Sequence, residues 1–116
     1  FHLNNNGDHY RDFTYISDIV KSCEKLITYK PKLSHTIFNI CAGKKINILQ
    51  LTQKILRDYP NAKIKNISAN KADVYQTLGS NKKIVKELKL KKFVKFEIGL
   101  RNTIKWFSKQ NIQKLI

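Results

Sequence analysis

Apolar and polar residues alternate over the first five positions, Phe-His-Leu-Asn-Asn, which predicts a short strand. Asn6-Gly7 offers the positive-φ residues of a tight hairpin, and "HYRDFTYI" is expected to return as the second strand. Ser17 or Asp18 is expected to cap a helix running to about Tyr29. Its Ile19, Val20, Cys23, Leu26 and Ile27 lie at helical spacing on one face, and Pro31 stands just past its end. "HTIFNIC", residues 35–41, is short and rich in β-formers and predicts a buried strand. Asn47 can cap a helix over residues 48–58, stopped by Pro60, with Ile48, Leu51, Ile55 and Leu56 inward and Thr52 a polar residue within that face. "AKIKNI" predicts another strand. Ser80 is expected to cap a helix over 81–88 with Ile84, Val85 and Leu88 inward, and a last helix is expected over about 97–110. Strands and helices thus mix in one α/β unit spanning residues 1–116, a small mixed sheet with helices.

Composition changes this picture in one respect. The chain has 116 residues, 41% hydrophobic, enough for a core and too many for disorder. Its net charge is +15. Such a charge suggests nucleic acid or an anionic surface. Only three of the 23 basic residues are arginines (Arg11, Arg57, Arg101), however, and the lysines are spread along the chain. Readers of nucleic acid usually mix Arg with Lys, because Arg forks onto phosphates and bases. The aromatic residues also fall at core-like spacing. A biased composition rich in Asn, Ile and Lys is therefore the favoured source of the charge, and nucleic acid is not the expected partner. No apolar run approaches the ~20 residues of a membrane span, and a soluble, cytoplasmic chain is expected. It begins at Phe1 and contains no Met, from which a processed chain or a fragment is expected.

Motif chemistry excludes several classes. The four glycines are never closer than 20 residues, so neither a dinucleotide fingerprint nor a P-loop is present. Cys23 and Cys41 stand alone, without paired spacing to each other or to histidines, and no metal site is expected. "YPNAK" spells Tyr-x-x-x-Lys from Tyr59 to Lys63, but Pro60 would break the helix that pairing needs. Ser34 and His35 are neighbours on a predicted strand and point to opposite faces. His9 is expected to be an exposed strand residue. No catalytic constellation is identified.

Arg11 is the exception. It follows a turn and precedes an apolar strand end, where its fork can grip a phosphate in a way Lys cannot. A salt bridge to a carboxylate such as Asp12 or Asp18 is an equal alternative on the residues alone.

"GDHYRDFTYISDIV", residues 7–20, resembles the Gly-x-x-x-Arg-Asp-Phe-x-x-(Val/Ile)-x-Asp-(Ile/Val) signature of the NAD-dependent epimerase/dehydratase family, the extended short-chain dehydrogenases acting on nucleotide sugars. "TIFNICAGKKINILQL" resembles that family's (Tyr/Phe)-Asn-Ile-Gly segment and its helix. "NKADVYQTLGSNKKIVKELKL" resembles its Pro-Gly-Asp-Val stretch and the (Asp/Ser)-Lys…Leu-Gly helix that follows, and "FVKFEIGLRNTIKWFSKQ" its closing Gly-Leu…Trp helix. The four segments occur in the family's order and cover nearly the whole chain.

The resemblance implies the C-terminal, substrate-binding part of such an enzyme, with the Rossmann core absent. It implies a nucleotide-diphosphate sugar, most readily a UDP-sugar, as ligand, and the missing N-terminal Rossmann domain as partner. The complete enzyme would use NAD to oxidise the sugar and would then return the hydride. This part, with neither glycine loop nor Tyr-Lys pair, is expected to bind no NAD and not to catalyse alone. Arg11 matches the family's diphosphate contact and Asp73 its ribose-side contact. Asn70 stands where many relatives have a second Arg and glucuronate-type epimerases have Gln. Lys71-Ala72 replaces Pro-Gly, and Cys41 replaces the Gly of Asn-Ile-Gly. Lys71 either restores the missing charge or is a solvated loop lysine. By the same matching, Asp12 fixes the loop and Phe13 packs inward. The alternative reading is a basic module binding nucleic acid or another polyanion.

Overall fold

Helix boundaries in the computed structural model follow local chemistry closely where that chemistry is strong. The structure describes residues 2–30, 36–70 and 72–110. Pro31, Ser34, His35 and Lys71 lie outside the described residues. The chain is mixed α/β: β1 (His2–Asn4), a 3₁₀ turn (Asn5–Gly7), β2 (Tyr10–Asp12), α1 (Ile16–Ile27), β3 (Lys45–Asn47), α2 (Ile48–Asp58), β4 (Lys65–Ile67), α3 (Lys82–Glu87) and α4 (Phe96–Phe107). These elements fall into two compact units, residues 1–13 with 43–80, and residues 14–42 with 81–116.

The first unit holds β1 to β4 apart from α1. β1 pairs in parallel with β4, with His2 opposite Lys65, and β2 pairs antiparallel with β3, with Arg11 opposite Ile46. The expected hairpin of the first two strands therefore does not form. The reason lies in the turn. Asn5, Asn6 and Gly7 all have positive φ (46°, 53° and 77°), one residue more than a two-residue hairpin turn needs. The chain is diverted onto the first turn of α2. The Ile48 amide donates to the His9 carbonyl at 2.9 Å, and a Cβ on Gly7 would lie 2.9 Å from the Leu49 nitrogen. Among the described residues of this unit, Leu3, only 5% exposed, is the buried large apolar residue. α2 matches its expected bounds: Asn47 Oδ1 accepts from the Gln50 amide at 3.1 Å, a cap worth about 1 kcal/mol. Thr52 is buried on the inward side.

The second unit is built from α1, α3 and α4 and their loops. Ile84, fully buried, and Leu88 form its core, each contributing about 1.5–3 kcal/mol by burial. α1 begins at Ile16 with Tyr15 as its N-cap residue, earlier than Ser17 or Asp18. Asp18 lies instead in the first turn, buried, where its Oδ2 accepts from the Val94 amide at 2.9 Å. Ser22, also buried, donates to the Asp18 carbonyl at 2.7 Å. Asp18 and Ser22 are the buried residues of this helix, while Val20, Cys23 and Ile27 of the expected inward face lie exposed, as does Ile16.

The predicted buried strand "HTIFNIC" is also overturned. Described residues 36–41 form no strand, and Ile37 is 83% exposed. Side chains satisfy this backbone in place of a ladder: Asn81 donates to the Cys41 carbonyl at 2.8 Å, and Lys83 to the Ile37 carbonyl at 3.0 Å. Both cysteines are free. Within the described residues no helix is long and apolar enough to cross a membrane.

Candidate binding site

β2 positions the site. One of its edges is paired with β3. Its other edge is held by residues 75–77, where the Tyr10 amide donates to the Tyr75 carbonyl at 3.0 Å and the Thr77 amide to the Tyr10 carbonyl at 3.1 Å. Successive side chains of a strand point to opposite faces, so Arg11 and Asp12 have separate tasks.

Asp12 ties loops together. Its carboxylate accepts from the Gly43 amide at 3.0 and 3.1 Å and from the Gly79 amide at 3.1 Å. Its own amide donates to Thr77 Oγ1 at 3.3 Å. Phe13, next in the chain, is 37% exposed and does not pack inward as expected.

Arg11 turns to the other face. Its Nη2 donates to Asp73 Oδ1 at 2.7 Å and its Nη1 to the Tyr10 carbonyl at 2.9 Å. Both side chains of the Arg11–Asp73 pair are about a quarter exposed. Of the two alternatives for Arg11, a salt bridge does form, but to Asp73 and not to Asp12 or Asp18. Asn70 sets the approach of Asp73. Its Oδ1 accepts from the Ala72 amide at 3.0 Å and its carbonyl from the Asp73 amide at 2.9 Å, a side-chain-stabilised turn. The three residues singled out from sequence thus belong to one small region, with Asn70 shaping the turn that delivers Asp73.

His9 completes the cluster, and sequence reasoning missed it. It is buried, 6% exposed, and its Nε2 lies 3.7 Å from Asp73 Oδ2. The expected exposed strand residue is corrected here because the Gly7 turn presses this segment onto α2. A signal existed: His9 and Arg11 are two apart, the spacing of one strand face. Tyr75 stands beside both, its ring centroid 6.2 Å from His9 and 5.8 Å from Tyr10. The negative charge of Asp8 pushes the Tyr75 phenol above its ordinary 10.0, and partial loss of solvation adds to this. Lys45 Nζ, from the neighbouring β3, lies 5.2 Å over the Tyr10 ring, a cation–π contact between the two paired strands.

Tyr59 and Lys63 flank a turn at Pro60, outside any helix. The glycines form no phosphate cradle: the Gly43 and Gly79 amides are taken by Asp12, and Gly7 is closed by Leu49.

In this short mixed α/β chain the Arg of an Arg-Asp-Phe strand thus meets the Asp of a distant Ala-Asp-Val segment. The chain fits a C-terminal portion of the NAD-dependent epimerase/dehydratases of the extended short-chain dehydrogenase type. In particular, it is 34% identical over 111 residues, 92% of its length, to a UDP-glucuronate 4-epimerase of Thermodesulfobacterium geofontis, of which it covers 32%. Two solved structures share its fold. One is MoeE5 in complex with UDP-glucuronic acid and NAD (TM-score 0.82, 20% identity, 94% of this chain and 36% of that one). The other is UDP-glucose 4-epimerase with UDP-glucose from Thermotoga maritima (TM-score 0.80, 23% identity, 93% and 34%). The chain spans about a third of the length of these proteins. No protein-family model matches it.

Proposed function

We propose that this chain is the nucleotide-sugar-binding portion of an NAD-dependent sugar epimerase or dehydratase, with a UDP-sugar as ligand. The observation that carries this reading is the Arg11–Asp73 ion pair at 2.7 Å. Two residues matched separately to the family's diphosphate and ribose contacts stand side by side, partly open to solvent. Arg11 would grip the diphosphate, since a guanidinium forks onto two phosphate oxygens at once. Asp73 would accept from the ribose hydroxyls, and Asn70 would hold the turn that presents it.

The oxidation and reduction of the sugar belong to parts of the relatives that this chain does not span, and it is inactive alone. The exposed stripe of Ile16, Val20 and Ile27 on α1 supports a covering partner, which in this reading is the Rossmann domain of the whole enzyme. A cytoplasmic location belongs to the same reading and agrees with two free cysteines.

The test is a calorimetric titration at moderate salt with UDP-glucuronate and UDP, wild type against Arg11→Ala. Weak binding lost in the variant upholds the reading. Binding indifferent to Arg11 sinks it.

One observation favours the second reading, a polyanion-binding module. Lys21, Lys25, Lys89, Lys91 and Lys92, together with Asp18 and Glu24, line a cleft of about 450 Å³ in the second unit. An oligonucleotide bound there would show affinity falling steeply with salt and unaffected by Arg11→Ala.

A further inference from the structure

Asp73 offers two oxygens to two basic groups. Arg11 holds Oδ1 at 2.7 Å, while the imidazole of His9 stands 3.7 Å from Oδ2, just beyond hydrogen-bond reach. His9 is the more enclosed of the two, with 8% of its side chain exposed against 27% for Arg11. Its position is fixed by three elements: the Gly7 turn before it, the start of α2 bonded to its carbonyl, and the segment carrying Asp73 and Tyr75. Among the described residues, Asp73 and Tyr75 face it from these elements, with Arg11 reached through Asp73 and Asp8 through Tyr75.

The pair as it stands carries a conflict. A carboxylate that occupies Arg11 competes with any phosphate for the same guanidinium. A second cation on the free oxygen of Asp73 would relieve that competition. His9 is placed to supply it, because imidazoles change charge between about pH 5 and 8.

We propose that His9 is a positioning residue for this site: taking a proton, it engages Oδ2 of Asp73, loosens the hold of Asp73 on Arg11, and so strengthens binding of the diphosphate of a nucleotide sugar. The inference rests on the nucleotide-sugar reading above and adds its regulation. The sign follows directly. The protonated imidazole adds positive charge beside the anion and weakens the competing pair. Affinity is therefore highest at low pH and declines as the imidazole loses its proton. The proton is taken from solvent and returned to it, and no covalent step is involved.

The experiment uses UDP-glucose, whose diphosphate is doubly esterified and does not titrate between about pH 5 and 8. Its affinity for the 116-residue chain is measured by calorimetry at both ends of this range, for wild type and His9→Gln. The expected result is an affinity roughly fivefold or more higher at the acid end, with the slope absent from His9→Gln, which can donate but cannot take up charge. An equal slope in wild type and His9→Gln overturns the inference. Wild-type binding without any slope overturns it while leaving the nucleotide-sugar reading intact. Absence of binding of both UDP-glucose and UDP-glucuronate at either pH defeats that reading and this inference together.

Discussion

Arg11 and Asp73 lie 62 residues apart in the chain and 2.7 Å apart in space. Each side chain is about a quarter exposed, so the pair itself contributes only about 0–1 kcal/mol to stability. Its importance is positional. Arg11→Lys keeps the charge and loses the planar fork. The expected outcome is a loss of UDP-glucose affinity of about tenfold, with unfolding in urea shifted by less than about 1 kcal/mol. Unchanged affinity, or a collapse of stability, would place the value of Arg11 in the fold and not in the ligand.

Asp12 is the residue on which the site's scaffold depends. One carboxylate accepts the amides of Gly43 and Gly79, which belong to loops on the two sides of β2. Asp12→Ala leaves two backbone donors without partners. A loss of about 1–3 kcal/mol is expected, read as a lower urea midpoint with unchanged slope. Because residues 75–77 are fastened at the same place, UDP-glucose affinity should fall with it. Full affinity in a destabilised Asp12→Ala chain would mean that these loops do not set the site.

Gly7 combines a positive φ of 77° with a neighbour that cannot move cheaply, the backbone of Leu49. Gly7→Ala therefore meets both backbone strain and a clash, for a cost of about 1–3 kcal/mol. The clash also bears on His9, two residues on, whose carbonyl accepts from Ile48. Thermal unfolding measures the cost, and the His9 ring signal in NMR reports the local shift. A variant as stable as wild type would show that the turn can relax away from α2.

What could be read in the sequence was local. The helix over 48–58 has its cap, its apolar spacing and its stop within a dozen residues, and it appears with those bounds. The strand pairing had no such support. β1 finds its partner at Lys65–Ile67, and β2 at Lys45–Asn47; nothing in a strand's own residues names a partner so far along the chain. "HTIFNIC" has β-forming residues but in its described part makes no ladder, because side chains such as Asn81 take its backbone groups. The site divides in the same way. Arg11 was singled out by its own chemistry with its partner left open, whereas Asn70 and Asp73 entered only through the resemblance. Burial of His9 was half legible: its spacing from Arg11 was visible, while the three positive-φ residues that fold it inward were not.

Tyr29 offers a pH-dependent check on the second unit, independent of any ligand. Its phenol lies above the ordinary 10.0 because of lost solvation first, and then because it donates to Glu87 Oε2 at 3.1 Å and feels the charge of that carboxylate. A raised folded-state value means that the neutral phenol is favoured by the fold. Its stabilising effect is complete below about pH 10 and is lost as pH rises through the folded-state value. Phenolate absorbance in an alkaline titration should therefore show Tyr29 ionising late. Glu87→Gln removes the charge but leaves the burial, so Tyr29 should move back toward its ordinary value without reaching it. Loss of stability on raising the pH beyond 10 should also be shallower in Glu87→Gln than in wild type. If Tyr29 ionises at the same pH in both chains, the Glu87 contact does not hold in solution, and the packing between the end of α1 and α3 must differ from the one described here.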